Sequence, residues 1–197
     1  MTSRFLAAFT ILVLLTLTTA TSFAFDGQRK GFVVGAGLGP GISSFTQDLT
    51  LAGQTGSASD SKFGLATDFR MGYGVNDRIV IFYNNRVNWF GIRNANDEEV
   101  TIADGVGCVS AQYFFAPGPV SWFVSGGLGY SAWSTPFEKN ARNSFGFGLF
   151  GGGGYQFSQA WGAEVSVSYG DPSDGEGLAR LETSTVGLRA TLNVAAY

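Results

Sequence analysis

The chain carries few side chains of the kinds that perform chemistry. Its 197 residues include 12 Lys and Arg, 15 Asp and Glu, one Cys and no His. Histidine is the side chain that most often exchanges protons near neutral pH, so its absence removes the usual general base. A single cysteine without histidine cannot build the usual zinc or Cys–His site. The composition therefore argues against an enzyme and predicts no metal or cofactor site.

Charged residues recur at alternate positions of otherwise apolar segments. In residues 62–73, Lys62, Asp68 and Arg70 share one face while large apolar side chains occupy the other, which is the two-residue period of a β-strand. The charged positions of this kind are Lys62, Asp68, Arg70, Arg78, Arg86, Glu164 and Arg189. The formal net charge is −3, without the clustered basic surface that nucleic-acid binding requires. We therefore expect no nucleic-acid partner.

Eight segments show this alternation. They span residues 31–39, 62–73, 78–90, 100–115, 120–133, 144–157, 161–170 and 185–194. Several place glycine at alternate positions, which indicates a crowded or sharply curved face. In segment 100–115 the sequence leaves open whether Cys108 or Val109 belongs to the inner face.

The connections between these segments alternate in length. They are long at 40–61, 91–99, 134–143 and 171–183, and short at 75–77, 116–119 and 158–160. In an up-and-down arrangement this puts all long loops at one end and all tight turns at the other, as in transmembrane barrels. A Greek-key sandwich gives no reason for such strict alternation. The sequence thus predicts an all-β, eight-stranded antiparallel up-and-down transmembrane β-barrel.

Residues 1–24 have the pattern of a cleaved secretory signal. Arg4 precedes an apolar run at 5–17, and Ser22 and Ala24 supply the small residues of a cleavage site. A membrane anchor would need a run of about 20 apolar residues, so the signal is the favoured interpretation. We expect a mature single-domain barrel at residues 25–197.

Aromatic residues fall where the predicted strands would cross the membrane boundaries. Such rings favour the interface between lipid and water, although aromatic residues also favour strands and cores in general. The predicted interfacial set is Tyr73, Trp89, Phe115, Trp122, Trp133, Phe157, Trp161 and Tyr169.

The charged face of the strands would point into the barrel, because charges facing lipid are costly. An interior formed by eight strands is just wide enough for side chains. This favours a set of ion pairs that plugs the barrel, while a channel lining remains the alternative.

Two stretches carry a resemblance to a known group of proteins. They are AQYFFAPGPVSWFVSGGLGYS at 111–131 and FGFGLFGGGGYQFSQAWGAEVSVSYG at 145–170. The mature chain resembles the small outer-membrane barrels of Gram-negative bacteria, the opacity-type and outer-membrane-protein-A-type group. The resemblance implies an outer-membrane location, and it implies that enzymes of this architecture use a histidine, which this chain lacks.

The resemblance also draws attention to Tyr197. Such barrels usually end in an aromatic residue that acts as an assembly signal, so we expect the C-terminal strand to engage the barrel assembly machinery. Tyr197 lies off the face of Leu188, Leu192 and Val194. Either a local bulge corrects the parity or the signal is imperfect.

The expected function is structural or one of surface contact, with outer-membrane lipid as the main partner and a possible ligand at the long loops. Phe45, Leu49 and Leu51 in the first loop either extend the strands or form a binding surface. Two alternatives remain: a passive pore for small or apolar solutes, and a secreted soluble barrel that holds a ligand. A soluble barrel would turn its large apolar residues inward and leave charges such as Asp68 and Arg189 in water.

Overall fold

The strands of the chain close into a ring in a computed structural model. The structure describes residues 28–51, 54–93, 97–139, 141, 143–174 and 179–197, so the predicted signal at 1–24 lies outside the described residues. The strands are β1 (Gly31–Leu51), β2 (Gln54–Asn76), β3 (Ile79–Arg93), β4 (Glu99–Phe114), β5 (Ser121–Ser134), β6 (Asn143–Gln156), β7 (Trp161–Gly170), β8 (Ser173–Asp174) and β9 (Ala179–Ala196).

Each long strand pairs antiparallel with its neighbour in the chain, and β1 pairs with β9 to close the ring. The two-residue strand β8 adds to the edge of β9 and also touches β6. The predicted eight-stranded up-and-down barrel is confirmed. Among the described residues, no helix is long and apolar enough to cross a membrane.

The first hairpin is longer than predicted. Strands β1 and β2 have 21 and 23 residues and stay paired from Gly31↔Gly74 to Leu51↔Gln54, so the predicted loop at 40–61 is wrong. Hydroxyl pairs join the strands across this region, including Ser44 with Ser61 and Thr46 with Ser59, both at 2.8 Å. A hairpin that protrudes into water is polar on both faces, so its sequence lacks the alternation of a strand and resembles that of a loop.

The fourth predicted loop is also shorter, because β9 begins at Ala179 and β8 lies within the predicted range 171–183. The second and third loops fall close to their predicted positions, after Arg93 and after Ser134. The connections after β1, β3, β5 and β7 lie at one end of the barrel, and the tight turns after β2, β4 and β6 lie at the other.

The faces of the strands are inverted relative to a soluble protein. Large apolar side chains such as Phe63, Val109 and Leu128 are exposed on the outside, while polar side chains are buried inside. The secreted soluble barrel is therefore excluded, since it requires the opposite orientation. In β4 the inner face holds Cys108 and Phe114.

Glycine on the inner face makes room for the interior side chains. A Cβ atom at Gly152 would lie 2.8 Å from Cβ of Ser166 and 3.0 Å from Oε1 of Glu164. Gly151, its neighbour on the outer face, has open space around it. The alternate glycines of β6 therefore relieve crowding on one side of the sheet only.

Candidate functional site: the barrel interior

Four charged side chains meet at the centre of the barrel. Asp68 and Arg70 come from β2, Arg86 from β3 and Glu164 from β7 on the far wall, and all four are buried. Arg70 Nη2 lies 2.6 Å from Asp68 Oδ2 and 3.0 Å from Glu164 Oε2. Arg86 Nη2 lies 2.8 Å from Glu164 Oε1 and 3.4 Å from Asp68 Oδ2. We call these four residues the central ion cluster; its formal charge is zero.

Neutral side chains add hydrogen bonds to the central ion cluster, in which Arg70 Nε alone has no partner among the described residues. Ser125 Oγ donates to Glu164 at 2.6 Å, and Asn84 Nδ2 donates to Asp68 at 3.0 Å. Arg86 donates through Nε to Asn84 at 2.8 Å and through Nη1 to Ser166 at 2.8 Å. Buried charges are tolerated only when they are paired and hydrogen-bonded in this way.

A second polar network connects Arg189 to Asp104 through neutral groups. Arg189 Nε donates to Asn88 Oδ1 at 3.0 Å, Asn88 Nδ2 donates to Ser43 Oγ at 2.9 Å, and Ser43 donates to Asp104 Oδ2 at 2.6 Å. Arg189 also donates to Ser168 at 2.7 Å. We call this chain of contacts the relay network. In this network the cation, Arg189, and the carboxylate, Asp104, are connected only through neutral side chains.

An apolar cluster covers the end of the interior near the long loops. Phe90, Val100, Ile102 and Trp133 are buried together, with Phe45 packed against them. The ring centroids of Phe45 and Trp133 are 4.9 Å apart. We call this group the outer aromatic cluster.

A matching apolar cluster lies at the end with the tight turns. It is formed by Val33, Val80, Phe82, Phe114 and Phe123, with Tyr197 packed against it. An apolar cluster therefore lies at each end of the interior, on either side of the polar networks.

Arg29 closes the tight-turn end. Its Nε donates to Gln156 at 3.0 Å, its Nη1 donates to the carbonyl of Asp77 at 2.8 Å, and the guanidinium lies 3.6 Å from the ring centroid of Phe114. Tyr197 packs against the same apolar cluster, and burial raises the pKa of its phenol. Segments from both ends of the barrel sequence thus meet in one cap.

The structure places five of the seven predicted interior charges inside the barrel: Asp68, Arg70, Arg86, Glu164 and Arg189. Lys62 lies at the rim, half-exposed, with Nζ 2.7 Å from Asp60, and this hydrogen bond lowers the pKa of the Asp60 carboxyl.

The interior position predicted for Arg78 is wrong. Its side chain is exposed and reaches the hydroxyl of Tyr113 at 3.4 Å and the carbonyl of Phe115 at 3.3 Å. Arg78 precedes β3 and follows a register shift between Gly74 and Asn76, so the alternation of the strand does not extend to it.

Sequence reasoning missed two interior charges. Asp104 shares the parity of Ile102 and Val106, which are both buried, so a firm choice of inner face in β4 would have found it. Arg29 lies before β1, and no periodic pattern extends to that position.

The predicted interfacial aromatics divide into three groups. Six are exposed on the outside: Tyr73, Phe115, Trp122, Phe157, Trp161 and Tyr169. Trp89 is half-buried and donates through Nε1 to Thr67 Oγ1 at 2.9 Å. The interfacial position of Trp133 is wrong, since this side chain is 7% exposed, against 66% for Trp122. The two tryptophans are an odd number of residues apart on one regular strand, so they must face opposite sides.

Tyr197 follows a strand without a bulge. The pairing of β9 with β1 keeps one register from Leu51↔Ala179 to Val34↔Ala196. The parity is therefore not corrected, and Tyr197 stays on the interior side, packed against the tight-turn cluster.

Comparisons with known proteins identify the fold. No family model and no curated protein matches the chain. Among solved structures, outer membrane protein AlkL in lipid bilayers is similar at a TM-score of 0.53 and 15% identity, covering 86% of this chain and 92% of that one. The chain has the fold of the small outer-membrane barrels.

Two further structures align over most of their length. OprG from Pseudomonas aeruginosa has a TM-score of 0.49 and 15% identity, with 87% of this chain and 98% of that one covered. Neisserial surface protein A has a TM-score of 0.47 and 18% identity, with 83% and 96% covered. The outer face of this barrel is apolar, with large hydrophobic side chains exposed along the strands.

Proposed function

We propose that the protein is a sealed outer-membrane barrel with a structural and surface-contact role. The observation that carries this proposal is the stacking of the central ion cluster and the relay network between two apolar clusters. Side chains from opposite walls meet in the middle, as with Arg86 and Glu164 at 2.8 Å.

Passage of an ion through this interior would require the buried pairs to separate. Breaking a buried pair leaves an uncompensated charge and costs about 3–5 kcal/mol. An ion would also have to pass the outer aromatic cluster at one end, and the apolar cluster with Arg29 against it at the other, and would lose hydration at both. Both effects oppose a passive pore.

We also propose that the barrel is not catalytic. The chain has no histidine, and the buried carboxylates Asp68 and Glu164 are held by arginines rather than being free to exchange protons.

The surface-contact role rests on the long first hairpin. Beyond Leu65 strand β2 has no pairing with β3, yet β2, β1 and β9 remain paired up to Leu51. A three-stranded blade therefore projects from the end with the long loops. Its exposed hydroxyl groups and free edge are the features that a surface ligand can contact.

Assembly is the other expected interaction. We propose that β9 is the strand that the barrel assembly machinery recognises. Because Tyr197 packs inside the finished barrel, it is available for recognition only before β1 and β9 pair.

The sealed interior is tested by solute flux. Phospholipid vesicles containing the refolded protein should swell in an isotonic small-sugar solution no faster than protein-free vesicles. Heat-modifiable gel migration verifies that the barrel is folded. Rapid swelling by the wild-type protein would overturn the sealed-barrel proposal and favour the passive pore.

The surface-contact role is tested by shortening the hairpin. Phe45 and Asp60 are direct partners, so residues 46–59 can be replaced by an Asn-Gly turn without a change of register. The shortened protein should fold and remain sealed, while cells that display it lose attachment to glass or to one another. Equal attachment of both forms would contradict a role for the blade.

A further inference from the structure

A polar amide lies in the middle of the lipid-facing surface of β3. Asn85 shares its face with Ile81 and Tyr83, which are exposed to the outside. It lies near the middle of β3, six residues after Ile79, where the strand begins, and eight before Arg93, where it ends. An amide at this depth is surrounded by hydrocarbon unless a protein group meets it.

The amide of Asn85 has no hydrogen-bond partner within the part of the chain that the structure describes. The two nearby hydroxyls of Tyr83 and Tyr130 bond to each other at 2.9 Å. An unsatisfied amide in an apolar medium costs several kcal/mol. Asn85 therefore needs a hydrogen-bond partner from outside the barrel.

A hollow of about 230 Å³ lies beside Asn85 on the same outer surface. Gly107, which pairs directly with Asn85, and Gly105 line this hollow, and the ring of Tyr130 lies over Gly107. Tyr130 and Phe145 stand at its sides.

We propose that a second copy of this chain docks on this surface, with the two Asn85 amides hydrogen-bonded to each other. Copies inserted in the same direction are related by a two-fold axis along the membrane normal. This axis keeps every residue at its own depth, so the Asn85 of one copy meets the Asn85 of the other. An amide both donates and accepts, and the pair is therefore self-complementary, as an isologous contact requires.

A second copy fits these observations better than the other occupants. A lipid tail fills the hollow but offers the amide neither donor nor acceptor. A different membrane protein would have to present a polar group at this same depth, whereas the two-fold axis supplies one automatically. The dimer contact is independent of whether the interior is sealed.

Cross-linking tests the geometry. Val87 lines the hollow next to Asn85, and Val167 faces lipid on β7, on the far side of the barrel. In vesicles under oxidising conditions, Val87→Cys should form covalent dimers and Val167→Cys should not. Cys108 is buried inside and contributes no band. If Val87→Cys fails to fold by gel migration, Ala132→Cys lines the same hollow and replaces it.

Self-association tests the amide. Energy transfer between labelled copies in phospholipid vesicles should show a dimer that Asn85→Leu weakens by roughly three- to tenfold. Asn85→Gln keeps the amide and should retain part of the association, and Val167→Leu should leave it unchanged. Equal cross-linking at the two cysteine positions, a monomeric wild type, or full association of Asn85→Leu would each overturn the proposal.

Discussion

The two polar networks inside the barrel stabilise buried charge in different ways. In the central ion cluster two arginines contact two carboxylates directly, with distances from 2.6 to 3.4 Å. In the relay network Arg189 and Asp104 are joined through Asn88 and Ser43. The first network therefore depends on its charges, while the second depends on its neutral linkers.

The largest effect is expected from removing one charge of the central ion cluster. Glu164→Gln leaves two buried arginines with one carboxylate, and the free energy of unfolding should fall by about 3–5 kcal/mol. Urea titration of the barrel in phospholipid vesicles measures this free energy.

The control for Glu164→Gln is Glu138→Gln. Glu138 is exposed in the loop after β5, so this substitution should change the free energy of unfolding by no more than about 0.5 kcal/mol. Equal stability of the two variants would show that the central ion cluster does not stabilise the barrel.

The next largest loss of stability is expected from crowding the central ion cluster without changing its charge. Gly152→Val inserts methyl groups where Ser166 and Glu164 already approach, and overpacking of this kind should cost about 1–3 kcal/mol. The same denaturant titration measures the loss. Gly151→Val is the control, since that position opens outward, and a similar loss at both glycines would contradict the assigned faces.

The neutral linkers of the two networks provide the closest contrast. Asn88→Ala interrupts the relay and leaves Arg189 Nε without its partner, which should cost about 1–3 kcal/mol. Asn84→Ala should cost less, because Asp68 and Arg86 keep their direct ionic partners. A larger loss for Asn84→Ala in equilibrium unfolding would reverse the distinction drawn between the networks.

The smallest change in stability is expected from a substitution in the projecting blade. Thr46 pairs with Ser59 through an exposed hydroxyl contact, so Thr46→Val should change the free energy of unfolding by no more than about 0.5 kcal/mol. Thermal gel-shift midpoints for wild type and variant check it. A loss comparable to that of Asn88→Ala would mean that the blade contributes to the stability of the barrel.

Alternation was sufficient to predict the barrel and most of its interior charges. A strand period of two fixes the face of a residue once the strand is known, which is why Asp68, Arg70, Arg86, Glu164 and Arg189 were found. It fails at the ends of strands: Arg78 follows a register shift, and Arg29 lies before β1.

Other features could not be predicted because they depend on tertiary contacts. The aromatic residue Trp133 was placed by its distance from the strand end rather than by its parity, so its place in the outer aromatic cluster was missed. The blade has the composition of a loop because both of its faces meet water. The relay from Arg189 to Asp104 spans four strands, and no local spacing indicates it.

Single-channel recording in planar bilayers tests the sealed interior most directly. The wild-type barrel should show no sustained openings, and Arg70→Ala/Arg86→Ala, checked for folding by heat-modifiable migration, should show frequent ones because it removes the two cations at the centre. Sustained nanosiemens-scale openings of the wild-type protein would contradict the account.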